Sequence, residues 1–175
     1  MRRILPIAIS TAAIFAAIAA APALADTTGS TAALVTLNTT GALSITVPGT
    51  FGLTGFVTDT SLSGLLGAVD VIDERSADPA AWNASVSATP FTNGTHTLGA
   101  AAYNPGAVTT TGIPASQITT NVVTLSPAPQ QVVNLNGGTT FSGNNTAEWN
   151  PSITVPIPAG SVTGAYTSTI THSVI

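Results

Sequence analysis

The sequence has no cysteine, no lysine and very little charge. Without cysteine there is neither a disulfide framework nor thiol chemistry, so an apolar core must supply the stability. Without lysine, no side-chain Schiff base or lysine–asparagine isopeptide bond can form. The basic residues are Arg2, Arg3 and Arg75. So few cations cannot neutralise phosphates, which excludes nucleic acid as a partner and disfavours anionic membrane surfaces.

The N-terminus carries the one long apolar run of the chain. Arg2 and Arg3 precede an apolar stretch over residues 4–21, and Ala-Leu-Ala follows at 23–25. This order predicts a secretory signal peptide over residues 1–25, cleaved after Ala25, rather than a membrane anchor. No membrane span is expected after cleavage, and the mature protein is expected to be secreted and to reside at the cell wall or cell surface.

Residues 26–175 have the usual size of one domain. These residues include one basic residue, Arg75, and seven acidic residues, which gives a net charge of −6. Apolar and polar residues alternate over short stretches, and no helical spacing with caps is found. Trp82, Ala84, Val86 and Ala88, for example, share one face of a predicted strand.

This pattern predicts an antiparallel β-sandwich, Ig-like or Greek-key, with about nine short strands; a β-barrel is the alternative. Residues 98–112 read as irregular. The candidate strands are 32–37, 41–47, 51–58, 67–72, 82–89, 113–118, 121–125, 132–135, 148–157 and 164–175. Of these, 113–118 and 132–135 read as edge pieces because proline and glycine flank or interrupt them.

Four of the seven acidic residues lie in one predicted strand and the turn that follows it. Asp70, Asp73, Glu74 and Asp78 lie close together in sequence, and such carboxylates can bind Ca²⁺ in a turn. Arg75 sits among them, however, and no Asp-x-Asp-x-Asp-Gly loop is present. The favoured interpretation is an Asp–Arg pair at a solvated hairpin end, with no metal and no cofactor.

The sequence offers little for catalysis. His96 falls in a predicted loop, and His172 falls on the more apolar face of the last strand. No Gly-x-Ser-x-Gly elbow is present. A glycosidase pair can be drawn only from Asp70, Glu74 and Glu148. We therefore predict no catalytic residue and no enzyme, and a small secreted hydrolase is a distant alternative.

Four segments of the chain resemble the WxL domain family, the secreted cell-wall-binding domains of Gram-positive bacteria. They are Gly-Ala-Leu-Ser-Ile-Thr-Val-Pro at 41–48, Leu-Gly-Ala-Val-Asp-Val-Ile-Asp-Glu-Arg at 66–75, Ala-Trp-Asn-Ala-Ser-Val-Ser-Ala at 81–88, and Gly-Ala-Tyr-Thr-Ser-Thr-Ile-Thr-His-Ser-Val at 164–174. Where the family has Trp-x-Leu, this chain has Trp-Asn-Ala at 82–84 and His-Ser-Val at 172–174. The chain is thus similar to a divergent, single-domain member.

The resemblance implies an all-β domain that binds peptidoglycan or another wall polymer without a covalent link, together with other surface or membrane-anchored proteins. The residues on the family motifs are Trp82, Asn83, Ala84, Tyr166, His172 and Val174. The alternation places Trp82 in the core, whereas an exposed ring would stack on sugars. A second hypothesis is a structural protein that pairs with itself or with another surface protein through sheet edges.

Overall fold

The computed structural model describes residues 32, 34–38, 41–136 and 143–175. The chain divides into two units, Met1–Thr36 and Leu37–Ile175. In the first unit, the described residues 32 and 34–36 have no regular secondary structure. The predicted signal peptide lies outside the described residues. No helix among those residues is long and apolar enough to cross a membrane.

The second unit contains twelve strands and one short 3₁₀ helix, Ala115–Gln117, within its described residues. The strands are β1 Leu43–Thr46, β2 Ser61–Leu65, β3 Val69–Asp73, β4 Trp82–Ala88, β5 Ala102–Asn104, β6 Val108–Thr111, β7 Ile118–Thr120, β8 Val123–Thr124, β9 Gln130–Leu135, β10 Asn145–Trp149, β11 Ser152–Pro156 and β12 Ile170–Val174.

The strands form three open antiparallel sheets of four strands each. Sheet A has the order β1-β3-β10-β6, sheet B the order β2-β11-β5-β8, and sheet C the order β12-β4-β9-β7. The predicted all-β class and antiparallel sandwich are confirmed, and none of the three described sheets closes into a barrel. The structure has more strands than the predicted nine. Several of its strands are only two to four residues long, too short to show a clear alternation in the sequence.

One predicted strand, 148–157, is in fact two. β10 ends at Trp149 and β11 begins at Ser152, and the two belong to different sheets. Between them lies the buried Pro151, which has no N–H to donate and whose carbonyl accepts a hydrogen bond from Leu66 N at 2.8 Å. The apolar alternation continues across this break, so the pattern alone did not reveal it.

Other boundaries differ where the signal is weak. Residues 98–112, predicted as irregular, contain β5 and β6, and 51–58 contain no strand, while β2 follows them. The described residues of 32–37 are not a strand either. β9, predicted as an edge strand, lies between β4 and β7, because the prolines and glycines that flank it fall outside the strand itself.

A single apolar core is built from all three sheets. Its largest fully buried side chains are Trp82, Trp149 and Tyr103, one from each sheet. Removing each large apolar side chain from water stabilises the fold by about 2–3 kcal/mol. In β4 the burial alternates as predicted, with the apolar side chains inside and the polar ones outside. The polar rows are therefore left on the outer faces of the sheets.

Candidate functional site

The two segments that carry the family tripeptides lie side by side. β12 pairs with β4, with Val174 opposite Ala84 and His172 opposite Val86. The pairing is extended by Asn83 and Ile175, whose backbones exchange two hydrogen bonds of 2.9 and 3.0 Å. Two stretches separated by about ninety residues in sequence thus form one pair of strands.

Most of the motif side chains point into the domain. Trp82 is 1% exposed and Ala84 is fully buried, while His172 and Val174 are half-buried on the inner face of β12. Trp82 is therefore a core residue, and its ring is not available to stack on a sugar. Asn83 is the tripeptide residue that faces outward from β4.

The indole of Trp82 is bound to a buried polar cluster in sheet A. Its Nε1–H donates to Oδ1 of the buried Asn145 at 2.9 Å. Asn145 lies opposite the buried Asp73 on β3. Arg75 closes the cluster with two bonds to the Asp73 carboxylate, from Nε at 2.9 Å and from Nη2 at 3.0 Å, and it also donates to the Ala81 carbonyl at 2.7 Å. The charged turn is thereby attached to the core.

The charge on Asp73 is maintained inside the protein. Burial works against ionisation of this carboxyl, but hydrogen bonds from the Arg75 side chain and backbone, the guanidinium charge and a bond from Asn145 outweigh it. The net result is a pKa below the ordinary value of 3.8. Asp73 is therefore an ionised structural anchor.

The four candidate calcium ligands are not brought together. Asp73 forms a salt bridge with Arg75, and Asp70 lies on the opposite, outer face of β3. Within the described residues, no group of three or more His, Asp or Glu side chains is arranged to hold a metal ion. The calcium alternative for Asp70, Asp73, Glu74 and Asp78 is therefore not supported, because alternate positions on a strand point to opposite faces.

Two of the carboxylates considered for glycoside hydrolysis do meet, on a sheet face. Glu148 on β10 lies directly opposite Asp70 on β3, and both point outward from sheet A. Thr46 and Thr109 occupy the next positions on either side. The pair is on the same open sheet surface, whereas acid and nucleophile in a glycosidase face each other across a bound sugar.

A second polar chain includes His172. Nε1–H of Trp149 donates to the Tyr103 hydroxyl oxygen at 2.9 Å, and this oxygen lies 3.1 Å from His172 Nε2. Because the indole can only donate, the arrangement that satisfies most groups has the Tyr103 O–H donating to a neutral His172. Burial lowers the pKa of His172 to about 4 and raises that of Tyr103 to about 12.

The other histidine is part of a local turn. His96 is exposed, its Nδ1 lies 2.9 Å from the hydroxyl of the adjacent Thr95, and its backbone N–H donates to Asn93 Oδ1 at 3.0 Å. These contacts shape the hairpin tip. The two histidines thus lie in separate environments, one buried beside a tyrosine and one exposed in a turn.

The outer face of sheet C is a continuous surface of uncharged hydroxyl and amide groups, which we call the polar face. Cross-strand pairing aligns Ser173, Ser85 and Gln131 in one row, and Asn83 and Asn134 in another. Sheet order extends the surface over all four strands. Its side chains are Asn83, Ser85 and Ser87 on β4, Thr171 and Ser173 on β12, Gln131 and Asn134 on β9, and Thr119 on β7.

Part of the polar face is held in place by its own hydrogen bonds. Gln131 Nε2 donates to Asn83 Oδ1, and Asn134 Nδ2 donates to Asn136 Oδ1 at 2.8 Å. Asn136 in turn donates to Thr119 Oγ1 at 3.0 Å. On the other side, β12 exposes Thr171 and Ser173. The face therefore combines oriented amides with exposed hydroxyls, groups that can both donate and accept hydrogen bonds.

A different kind of site lies beside sheet B. This aromatic groove has a volume of about 560 Å³ and is lined by residues 51–58, by residues 161–166, and by Leu62, Phe91, Leu98, Val155 and Ile157. None of these side chains is charged. Phe56, which is 76% exposed, stands at the groove. Tyr166 lines the groove rather than the polar face, and its hydroxyl donates to the Val162 carbonyl at 3.0 Å.

Some of these features are predictable from the sequence and others are not. The outward row of β4 was visible in the alternation, but its continuation over β9 and β7 depends on pairing between distant segments. The aromatic groove is formed by two loops that are about a hundred residues apart, and no local pattern marks it.

Comparisons with family models, with curated proteins and with solved structures return no match.

Proposed function

We propose that the protein is a secreted, non-catalytic surface domain that associates non-covalently with the cell wall, through peptidoglycan or another wall polymer, and that the polar face is its contact surface. The observation that carries the proposal is the continuous set of eight uncharged hydroxyl and amide side chains on the open face of sheet C. Each neutral hydrogen bond contributes only about 0.5–1.5 kcal/mol. A repeating polymer that engages several of them at once gains useful affinity.

The absence of charge on the polar face also favours this role. Residues 26–175 have a net charge of −6, which opposes approach to any negatively charged surface. The polar face adds nothing to that repulsion, since its eight side chains are neutral. Contact with a wall that carries both sugars and acidic groups is therefore least opposed at this face.

The resemblance to the WxL family agrees with the same surface. The strands that carry the two tripeptides, β4 and β12, provide five of the eight side chains of the polar face. Their inward residues, including Trp82 and His172, serve packing. Replacement of the family's second tryptophan by His172 changes the interior, and the outward residues Thr171 and Ser173 remain suitable for binding.

The test is retention of the purified protein on isolated peptidoglycan with its attached polymers. A triple variant, Ser87→Ala, Thr171→Ala and Ser173→Ala, removes three hydroxyl groups and is expected to weaken retention by at least about tenfold. The control variant, Thr109→Ala with Thr111→Ala, removes two exposed hydroxyls from β6 in sheet A and should bind normally. Full retention of the triple variant, or no retention of the wild type, contradicts the proposal.

A second candidate function, assembly with itself or with another surface protein, is favoured by the open sheets. Each of the three sheets ends in two edge strands, and β6 has the sequence Val-Thr-Thr-Thr, a good strand former at such an edge. Light scattering tests this candidate: concentration-dependent oligomers without wall binding would replace the first function by the second. The hydrolase alternative gains no support from the separate positions of His96 and His172.

A further inference from the structure

The aromatic groove selects for an apolar and uncharged occupant. Several of its hydrogen-bonding groups are used inside the domain: Tyr166 donates to Val162, Ser161 Oγ donates to the Pro158 carbonyl at 2.7 Å, and Phe56 N donates to Asp59 Oδ2 at 2.8 Å. The large side chains that stay exposed there are apolar, since Phe56, Val57 and Val162 are 76%, 42% and 37% exposed, and the hydroxyls beside them, on Thr54, Thr58 and Thr163, are neutral. The exposed ring and aliphatic side chains cannot replace the hydrogen bonds to water that a hydroxyl-rich polymer would lose on covering them.

The same chain exposes a short apolar segment, residues 34–37, with the sequence Leu-Val-Thr-Leu. Leu34 is 92% exposed, Val35 79% and Leu37 90%. Three large apolar side chains uncovered within four residues are unusual, because exposed apolar residues normally occur singly. The segment and its neighbours are rich in β-branched and polar residues, a composition that suits insertion as an additional strand.

Charge favours an encounter between these two surfaces. No charged residue occurs between Asp26 and Asp59, so the segment lies in a long neutral stretch. The groove lining is neutral as well. Two copies with a net charge of −6 over residues 26–175 repel each other elsewhere, and they approach most easily where neither surface carries charge.

We propose that residues 34–37 of one copy dock in the aromatic groove of a second copy. The contact is head-to-tail, because the segment and the groove are different surfaces of one chain. Two copies that exchange segments form a closed dimer, and a one-way contact continues into a longer assembly. The polar face takes no part in this contact and stays available for the wall.

The experiment uses the protein as isolated from secreting cells and measures its association by sedimentation over a range of concentrations. The segment variant, Leu34→Ser with Val35→Ser and Leu37→Ser, removes the apolar side chains of the segment. The groove variant, Phe56→Ser, removes the exposed ring at the groove. All four side chains are more than three-quarters exposed, so the fold should tolerate these changes. Each variant is expected to raise the dissociation constant for self-association by at least about tenfold.

Mixing provides the decisive result. The segment variant keeps an intact groove and the groove variant keeps an intact segment. A mixture of the two therefore retains one segment–groove contact per pair and should associate at lower concentration than either variant alone. Val122→Ser, at a residue 66% exposed and outside the groove, is the matched control and should associate like the wild type. Thermal melting of every variant shows that the fold is retained.

Three results overturn the inference. They are a wild type that stays monomeric at all concentrations, association that survives both sets of substitutions, and a mixture of the two variants that associates no more tightly than either variant alone. If Phe56→Ser abolishes retention on the wall and the protein is monomeric, the groove binds the wall polymer instead. Loss of retention in the polar-face variant alone leaves the self-association unaffected, so the two proposals fail independently.

Discussion

Acidification should destabilise the protein through His172 well before the buried carboxylate is affected. In the folded protein this imidazole is neutral and accepts a hydrogen bond from Tyr103. In the unfolded chain it binds a proton at its ordinary pKa of 6.5, whereas burial lowers the folded pKa to about 4. Between these values the unfolded state holds more protons than the folded state, so stability falls as the pH falls.

The size of the effect follows from the two pKa values. Each pKa unit corresponds to about 1.4 kcal/mol. Between pH 6.5 and pH 4 the free energy of unfolding should therefore decrease by about 3 kcal/mol through His172 alone. For a domain whose total stability is about 5–15 kcal/mol, such a loss is easily measured. Asp73 acts in a lower window: its contribution is present above 3.8 and is lost as the pH falls through its lowered folded pKa.

Urea unfolding followed by tryptophan fluorescence at several pH values between 7 and 4 measures this dependence. Both tryptophans are buried, at 1% and 2% exposure, so their emission reports unfolding. His172→Gln cannot titrate but retains an acceptor for Tyr103, and it should flatten the dependence over this range. The control is His96→Gln, at an exposed histidine in a turn, which should leave the slope unchanged.

Two results would contradict this prediction: a wild-type stability that is flat between pH 6.5 and pH 4, or a His172→Gln variant that keeps the full slope. The first result would mean that His172 is protonated in the fold or is accessible to water. The second would assign the pH dependence to other groups. A lower stability of His172→Gln at pH 7 does not affect the test, because the slope and not the absolute stability is compared.

Three further predictions concern stability, each measured by urea unfolding at pH 7. Trp82→Ala should cost about 3–5 kcal/mol, as expected for a core aromatic; unchanged stability with lost wall binding would instead make Trp82 a contact residue. Arg75→Ala should lower the free energy of unfolding by about 2 kcal/mol, because it leaves the Asp73 carboxylate buried without its cation. The loss is smaller than for a fully buried pair because the Arg75 side chain is 36% exposed. An unchanged stability would contradict the anchoring role. Glu148→Gln should stabilise by about 0.5 kcal/mol by removing a like charge opposite Asp70, and a destabilisation would show a favourable partner for Glu148.

The sequence predicted the fold class because the alternation was strong where one face is buried. β4 shows this best, with every second residue buried from Trp82 to Ala88. Boundaries were less predictable because several strands are very short, and β8 has only two residues. A strand of two to four residues takes its position from its neighbours, and its own sequence gives almost no period to detect.

The candidate site was predictable only in part, for the same physical reason. Local alternation identified Asn83, Ser85 and Ser87 as outward, but their partners Gln131 and Asn134 come from a strand that is distant in sequence. The concentration of acidic residues in the turn suggested a metal site, yet the pleat directs Asp70 outward and Asp73 inward. Charge density along a chain does not determine which side chains share a face.

The buried polar side chains join the three sheets to one another. Trp82 of sheet C binds Asn145 of sheet A, and Trp149 of sheet A binds Tyr103 of sheet B, which in turn binds His172 of sheet C. Two hydrogen-bond chains thus connect all three sheets. Each bond requires a defined position of one sheet against another, because an unpaired buried donor costs about 1–3 kcal/mol. Both tryptophans and both hydrogen-bond chains serve to fix this arrangement. The proposed contacts therefore use the hydroxyls and amides of sheet C and the aromatic groove beside sheet B.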